Sequence, residues 1–131
     1  MIKYFSWQEF DNSVELIACK TKNIKFSGIF GIPRGGLCLA VALSHRLNLK
    51  IFQEPKENTL IVDDIYESGL TLNKYKGLSG SKYFVLFSKV QPIWWEATRL
   101  IDKKAWVVFP WESEVNILSD KNEYRKKRGL N

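Results

Sequence analysis

The chain has 131 residues, 45% of them hydrophobic, a formal net charge of +6 and two cysteines. That length suits one compact domain, 1–131, with a core of ordinary size. No apolar run approaches the roughly 18–20 residues that cross a bilayer, and "MIKYFSWQEFDNS" lacks the apolar core of a secretory signal, so the expected setting is the cytoplasm.

Taken in chain order, Ser6 and Glu9 match a capping box, and Trp7, Phe10, Val14 and Ile17 follow helical spacing, which predicts a helix over about 6–20. "KFSGIFGI" reads as a strand broken by "PRGG", and "LCLAVALSHRL" as an apolar helix with Gly35 and Gly36 at its mouth. "KIFQ" and "TLIVDD" read as short buried strands, the second followed by the "ESGLT" turn and a brief helix. "KYFVLFS" and "AWVVFP" are two further strands. Strands alternating with helices predict an α/β fold, a largely parallel sheet covered on both faces. Ligands of such sheets sit at the carboxyl ends of the strands, and both "PRGG" and "DDIYESGLT" fall there.

Those two loops carry the chemistry. A buried strand that ends on Asp63 and Asp64 needs a ligand, because buried carboxylates are costly unless paired, metal-bound or solvated. In "ESGLT", Gly69 frees the backbone so that successive N–H groups can converge on an anion. Ser68 and Thr71 add hydroxyl donors, and the following helix offers a positive N-terminus. The acid pair suits ribose hydroxyls, or waters on Mg²⁺, one sugar-length from the phosphate, so the arrangement implies a ribose 5-phosphate. The plainer reading is a capped strand-to-helix turn with Asp64 and Ser68 as caps. "GIPRGGL" offers a second anion site, with the forked donor of Arg34 and close backbone approach at Gly35. Its plainer reading is a tight turn with a surface arginine.

With these segments in view, "LIVDDIYESGLT" resembles the phosphoribosyl-pyrophosphate motif of the type I phosphoribosyltransferases, and "IFGIPRGGL" resembles their pyrophosphate loop. "LFSK", ending in Lys89, and "AWVVFPWE" are similar to the purine-reading segments of the short microbial 6-oxopurine enzymes (xanthine-guanine and hypoxanthine). The resemblance runs from about Phe26 to Glu112. It implies a Rossmann-like core and transfer of a phosphoribosyl group from phosphoribosyl pyrophosphate to a 6-oxopurine, a purine-salvage reaction of a Mg²⁺-dependent homodimer or homotetramer. It also implies roles. Asp63 and Asp64 would hold the ribose hydroxyls, directly or through Mg²⁺ waters, and Glu67, Ser68, Gly69, Leu70 and Thr71 would cradle the 5-phosphate. Arg34 and Gly35 would bind pyrophosphate. Lys89 would donate to the 6-oxo group, Trp106 would stack on the base, and the backbone near Val107 would read its other edge.

Two departures from the family pattern stand out. Glu67 occupies the place of the family's acid/base aspartate, one methylene longer. Only Gln53 to Asn58 lie between two expected strands where the family carries a long lid loop, and a connection that short cannot form a lid. "QPIWWEATRLID" and the basic C-terminal tail, about 120–131, are then the candidate covers, with Trp94 and Trp95 read as packing or subunit-interface residues. The tail, "KNEYRKKRGLN", reads as a solvated face or as contact with a phosphate-rich partner, a small polyanion or nucleic acid. These departures favour a rival reading, a non-catalytic regulator that binds phosphoribosyl pyrophosphate or a nucleotide. Cys19 and Cys38 have no metal-ligand spacing; Cys38 reads as a small core hydrophobe and His45 as a surface residue without chemistry.

Overall fold

The computed structural model describes residues 1–112; the basic tail at about 120–131 lies outside the described residues. Four parallel strands make the main sheet in the order β2-β3-β4-β5: β2 (Gly28–Gly31), β3 (Thr59–Tyr66), β4 (Lys82–Ser88) and β5 (Glu96–Leu100). All eight residues of β3 are buried, which is what a central parallel strand covered on both faces requires. The period of two divides its side chains between two cores. Leu60 and Val62 face α1 (Trp7–Thr21) and α2 (Leu37–Leu47), and Phe84 and Leu86 of β4 join them on that side. Ile61 faces the opposite way, with Tyr83, Val85 and Trp95, and the alternation breaks at the end of the strand, where Ile65 joins the first core and Tyr66 the second.

The capping box at Ser6 forms as expected: Ser6 Oγ accepts from the Glu9 N–H, and the Glu9 carboxylate accepts from the Ser6 N–H. It starts a helix whose buried side chains Phe10, Val14, Ile17 and Ala18 recur at helical spacing. Both α-helices pack in the same core, so the second face of the sheet is covered differently. There the brief helix expected after "ESGLT" is a four-residue 3-10 turn, Leu72–Tyr75. It packs with Leu78, Trp94 and Trp95 against the sheet. A single 3-10 turn sums few peptide dipoles, which removes the strong helix N-terminus from the expected phosphate cradle.

Two further expectations are corrected. "KIFQ" is not a buried strand: Ile51 alone bridges to Ile29 and is 48% exposed. "QPIWWEATRLID" is not a lid, because its residues Glu96–Leu100 form β5 at the edge of the main sheet and Trp95 is 3% exposed in the core. The packing role read for Trp95 holds.

A second sheet joins distant parts of the chain. β1 (Ile2–Tyr4) pairs in parallel with β6 (Trp106–Val108). It docks on the core through Phe5, whose ring meets Phe87 edge-on at 4.9 Å and Phe109 at 5.9 Å. Because Phe87 lies two residues before Lys89, the small sheet abuts the carboxyl end of β4.

Candidate active site

Because the four strands are parallel, the segments that leave β2, β3 and β4 emerge on one edge of the sheet. β2 stops level with Val62, since Gly31 pairs with Val62, while β3 continues through Asp63 and Asp64 to Tyr66. The "PRGG" loop therefore folds back beside the acid pair. Ile32 N–H donates to Val62 O at 2.9 Å, and Gly36 N–H to Ile32 O at 2.8 Å. The contact is so close that a Cβ at Gly35 would overlap the Asp64 carboxylate. Glycine at 35 is thus a steric requirement of placing this loop on Asp64. Arg34 is exposed at the tip of the loop, free to turn its guanidinium toward an anion.

Asp63 and Asp64 are 1% and 5% exposed. Part of their burial is met locally: Asp63 Oδ1 accepts from the Asp64 N–H and Asp64 Oδ1 from the Ile65 N–H, both at 2.8 Å. The next residues make the turn. Gly69 takes φ +85°, a left-handed conformation that side chains resist, and Ser68 Oγ accepts from the Leu70 N–H at 3.4 Å. Ser68 and Leu70 are exposed and Thr71 half-buried, so Ser68 both caps the turn and faces solvent. The capped-turn reading and the phosphate-cradle reading share this geometry.

The third component comes from β4. Lys89 N–H donates to Tyr66 O at 2.9 Å, which continues the ladder past Ser88 and sets Lys89 beside Glu67. Their side chains form a buried ion pair, Lys89 Nζ with Glu67 Oε1, at 7% and 3% side-chain exposure. The side chain of a glutamate, one methylene longer than that of an aspartate, reaches the neighbouring strand here. Glu67 Oε2 is buried with no hydrogen-bond partner among the described residues. An orphaned buried oxygen is costly, about 1–3 kcal/mol or more for a charged group, and its position beside the loop marks where a donor would be received.

Loop 34–36, the acid pair, the 67–71 turn and Lys89 thus converge on one edge of the sheet. Trp106 and Val107, the expected purine contacts, are on β6 in the smaller sheet and are 7% and 4% exposed. Cys38 is half-buried in α2, and burial raises its thiol pKa, which keeps it out of nucleophilic chemistry. His45 is exposed near the end of α2. The sequence reading gave Tyr66, at the end of β3, no role; it stacks on Trp95. The tyrosine in "IYES" was the available cue.

The fold has counterparts among known structures. A purine phosphoribosyltransferase from Pyrococcus horikoshii superposes with a TM-score of 0.71 at 26% identity, covering 86% of this chain and 95% of that one. The chain has the type I phosphoribosyltransferase fold. A xanthine-guanine-hypoxanthine phosphoribosyltransferase from Helicobacter pylori shares that phosphoribosyltransferase fold, with a TM-score of 0.71 at 18% identity over 92% of this chain and 99% of that one. In sequence, the xanthine-guanine phosphoribosyltransferase of Gluconobacter oxydans is 26% identical over 139 aligned positions, 82% of this chain and 83% of that protein. No family model matches the chain. The resemblance to the phosphoribosyltransferases therefore rests on pairwise likeness, in sequence and in fold alike. Among the described residues no helix is long and apolar enough to cross a membrane.

Proposed function

We propose that this chain is a purine phosphoribosyltransferase, a pentosyltransferase that moves the 5-phosphoribosyl group of phosphoribosyl pyrophosphate onto a 6-oxopurine (guanine, xanthine or hypoxanthine) and releases pyrophosphate. The observation that carries this reading is the buried Lys89–Glu67 pair with its orphaned oxygen beside the phosphate turn. A protein that only senses a sugar phosphate has no use for a buried donor and acceptor side by side at the next strand end. The relatives named for purine substrates support the same reading.

In the reaction, a base nitrogen attacks the anomeric carbon as the bond to pyrophosphate breaks. The protein's part is to align the two and to stabilise charge. The 67–71 turn holds the 5-phosphate, Asp63 and Asp64 hold the ribose hydroxyls, and Arg34 with the Gly35 backbone receives the pyrophosphate. Lys89 gives a hydrogen bond to the 6-oxo group, and Glu67 takes the proton that the attacking base loses. Trp106 supplies the stacking face and the backbone near Val107 reads the other edge.

The donor set fits Mg²⁺. Asp63 and Asp64 are adjacent carboxylates, hard oxygen ligands, at one strand end. That suits an ion which keeps several waters and is shared with substrate phosphates. When bound it would neutralise charge on the departing pyrophosphate. A single cytoplasmic domain acting as a homodimer or homotetramer completes the reading.

The test is incubation of purified protein with phosphoribosyl pyrophosphate, Mg²⁺ and guanine, xanthine, hypoxanthine or adenine in turn, followed by mass spectrometry. A nucleotide from at least one 6-oxopurine is expected. A second reading, a weakly catalytic or non-catalytic regulator that binds phosphoribosyl pyrophosphate or a nucleotide, and RNA through its basic tail, is favoured by the short connection before β3. Binding of phosphoribosyl pyrophosphate with no product from any base would select it.

A further inference from the structure

Tyr66 ends β3 between the acid pair and the phosphate turn. The residue is 7% exposed and its ring stacks on Trp95, with centroids 3.8 Å apart and planes 12° apart. Trp95 is itself fixed, since its Nε1–H donates to Ser88 Oγ at 3.2 Å, and Ser88 pairs with Tyr66 across the β3–β4 ladder. The ring therefore has one direction open to it, and that direction ends under Gly69. A Cβ at Gly69 would overlap Tyr66 Oη, with Cζ at 2.8 Å and Asn73 Nδ2 at 3.0 Å. Glycine at 69 thus serves twice, taking the left-handed turn and leaving the hydroxyl unscreened by a side chain. Tyr66 Oη makes no hydrogen bond to the described residues.

We propose that Tyr66 is a further donor of the phosphate site, giving its O–H to an oxygen of the phosphomonoester held by residues 67–71. The inference rests on the phosphoribosyl reading of that turn and adds to it a ligand from the core side. A phenol is a neutral hydrogen-bond donor at physiological pH. A neutral donor suits this place, because the buried cation beside the turn, Lys89, is already paired with Glu67. It also takes over part of what the 3-10 turn cannot supply. The stacked partner keeps the donor oriented, so little rotamer freedom is lost when the phosphate arrives.

The experiment is calorimetric titration of the wild-type protein and Tyr66→Phe with ribose 5-phosphate and, separately, with pyrophosphate, both with Mg²⁺. The phenylalanine keeps the stack on Trp95, which near-ultraviolet circular dichroism reports. Loss of one hydrogen bond to a charged oxygen predicts about tenfold weaker ribose 5-phosphate binding, with pyrophosphate affinity unchanged. Unchanged ribose 5-phosphate affinity would overturn the inference, and so would an equal loss for both ligands, which would mean a general loosening of the site. Wild-type protein that bound neither ligand would remove the phosphoribosyl reading itself, and the inference with it.

Discussion

Glu67 and Lys89 show how a single methylene changes a site. An aspartate at 67 would carry its carboxylate back toward the strand; the glutamate reaches Lys89 and seals the pair from solvent. Breaking such a pair on one side leaves an uncompensated buried charge, at a cost of about 3–5 kcal/mol, whereas apolar replacement of both partners is often neutral. Lys89→Met alone should therefore lower stability by roughly that amount in urea denaturation, and Glu67→Met/Lys89→Met should recover most of it while forming no nucleotide. Equal destabilisation in the single and double variants would show that the pair is not a closed unit. Gly35→Ala makes a second test. Its methyl must displace the Asp64 carboxylate, so affinity for phosphoribosyl pyrophosphate should fall by about tenfold or more, an amount of binding energy that one hydrogen bond to a charged group supplies. Calorimetry at matched Mg²⁺ would read it, and unchanged binding would detach Asp64 from the ribose. The acid pair and its glycines were legible in the sequence because residue type alone announces them. The ion pair was not, since it depends on which strands are neighbours.

At the scale of elements, the strands that carry the site were readable from their apolar runs, and α1 from its capping box. What escaped was the covering of the second face. Nothing in "LNKYKGLSG" separates a 3-10 turn from a short α-helix, and "WWEATRL" reads as a surface segment because its alternation is that of a half-exposed edge strand. The small sheet was also hidden, since β1 and β6 are three residues each and lie at opposite ends of the described chain. Glu9 ties that sheet to the rest of the molecule. Its carboxylate accepts from Lys3 on β1 at 3.0 Å and from Arg99 on β5 at 2.7 Å. Hydrogen bonding from Lys3, then from the Ser6 N–H, with Arg99 also contributing, lowers its pKa from 4.5 to about 2. A lowered folded-state pKa means that the stabilisation is complete above pH 4.5 and disappears as pH falls through about 2. Glu9→Gln should thus melt lower than wild type at pH 7, by roughly 2–5 °C. The gap should close as both proteins are titrated toward about pH 2. A difference that persisted there would assign the effect to the helix cap alone.

For the whole molecule, the main consequence lies in what stands over the site. The connection from α2 to β3 runs only from Asn48 to Asn58 and is pinned midway by the Ile51–Ile29 bridge, while Trp95 is held in the core and Glu96–Leu100 in the main sheet. A cationic transition state is normally shielded from water by closure. With less cover, water should compete with the base for the anomeric carbon. The expected result is measurable release of pyrophosphate and ribose 5-phosphate from phosphoribosyl pyrophosphate without any base, at about a tenth of the transfer rate or more, a modest loss of selectivity equivalent to about 1.4 kcal/mol. Strict dependence of pyrophosphate release on added base would show that residues outside the sheet edge close the site. The sequence shows that length directly, but the bounds Gln53–Asn58 rest on a strand at "KIFQ" that the structure reduces to one bridge, so the connection is 48–58.

The pairing of β1 with β6 has a consequence for the order in which the protein is made. As the chain leaves the ribosome, Ile2–Tyr4 has no strand to join until Trp106–Val108 has followed it, so one strand of the small sheet waits for almost the last described residues. The four-stranded sheet, with its phosphate turn and acid pair, can close earlier from contacts between 28 and 100. A released chain ending shortly after Leu100 would therefore be expected to carry the acid pair and the 67–71 turn on a four-stranded sheet without β6. Because Met1 O accepts from the Trp106 N–H, a fusion partner placed directly on the first residue would load the one hydrogen-bonded seam that is formed late.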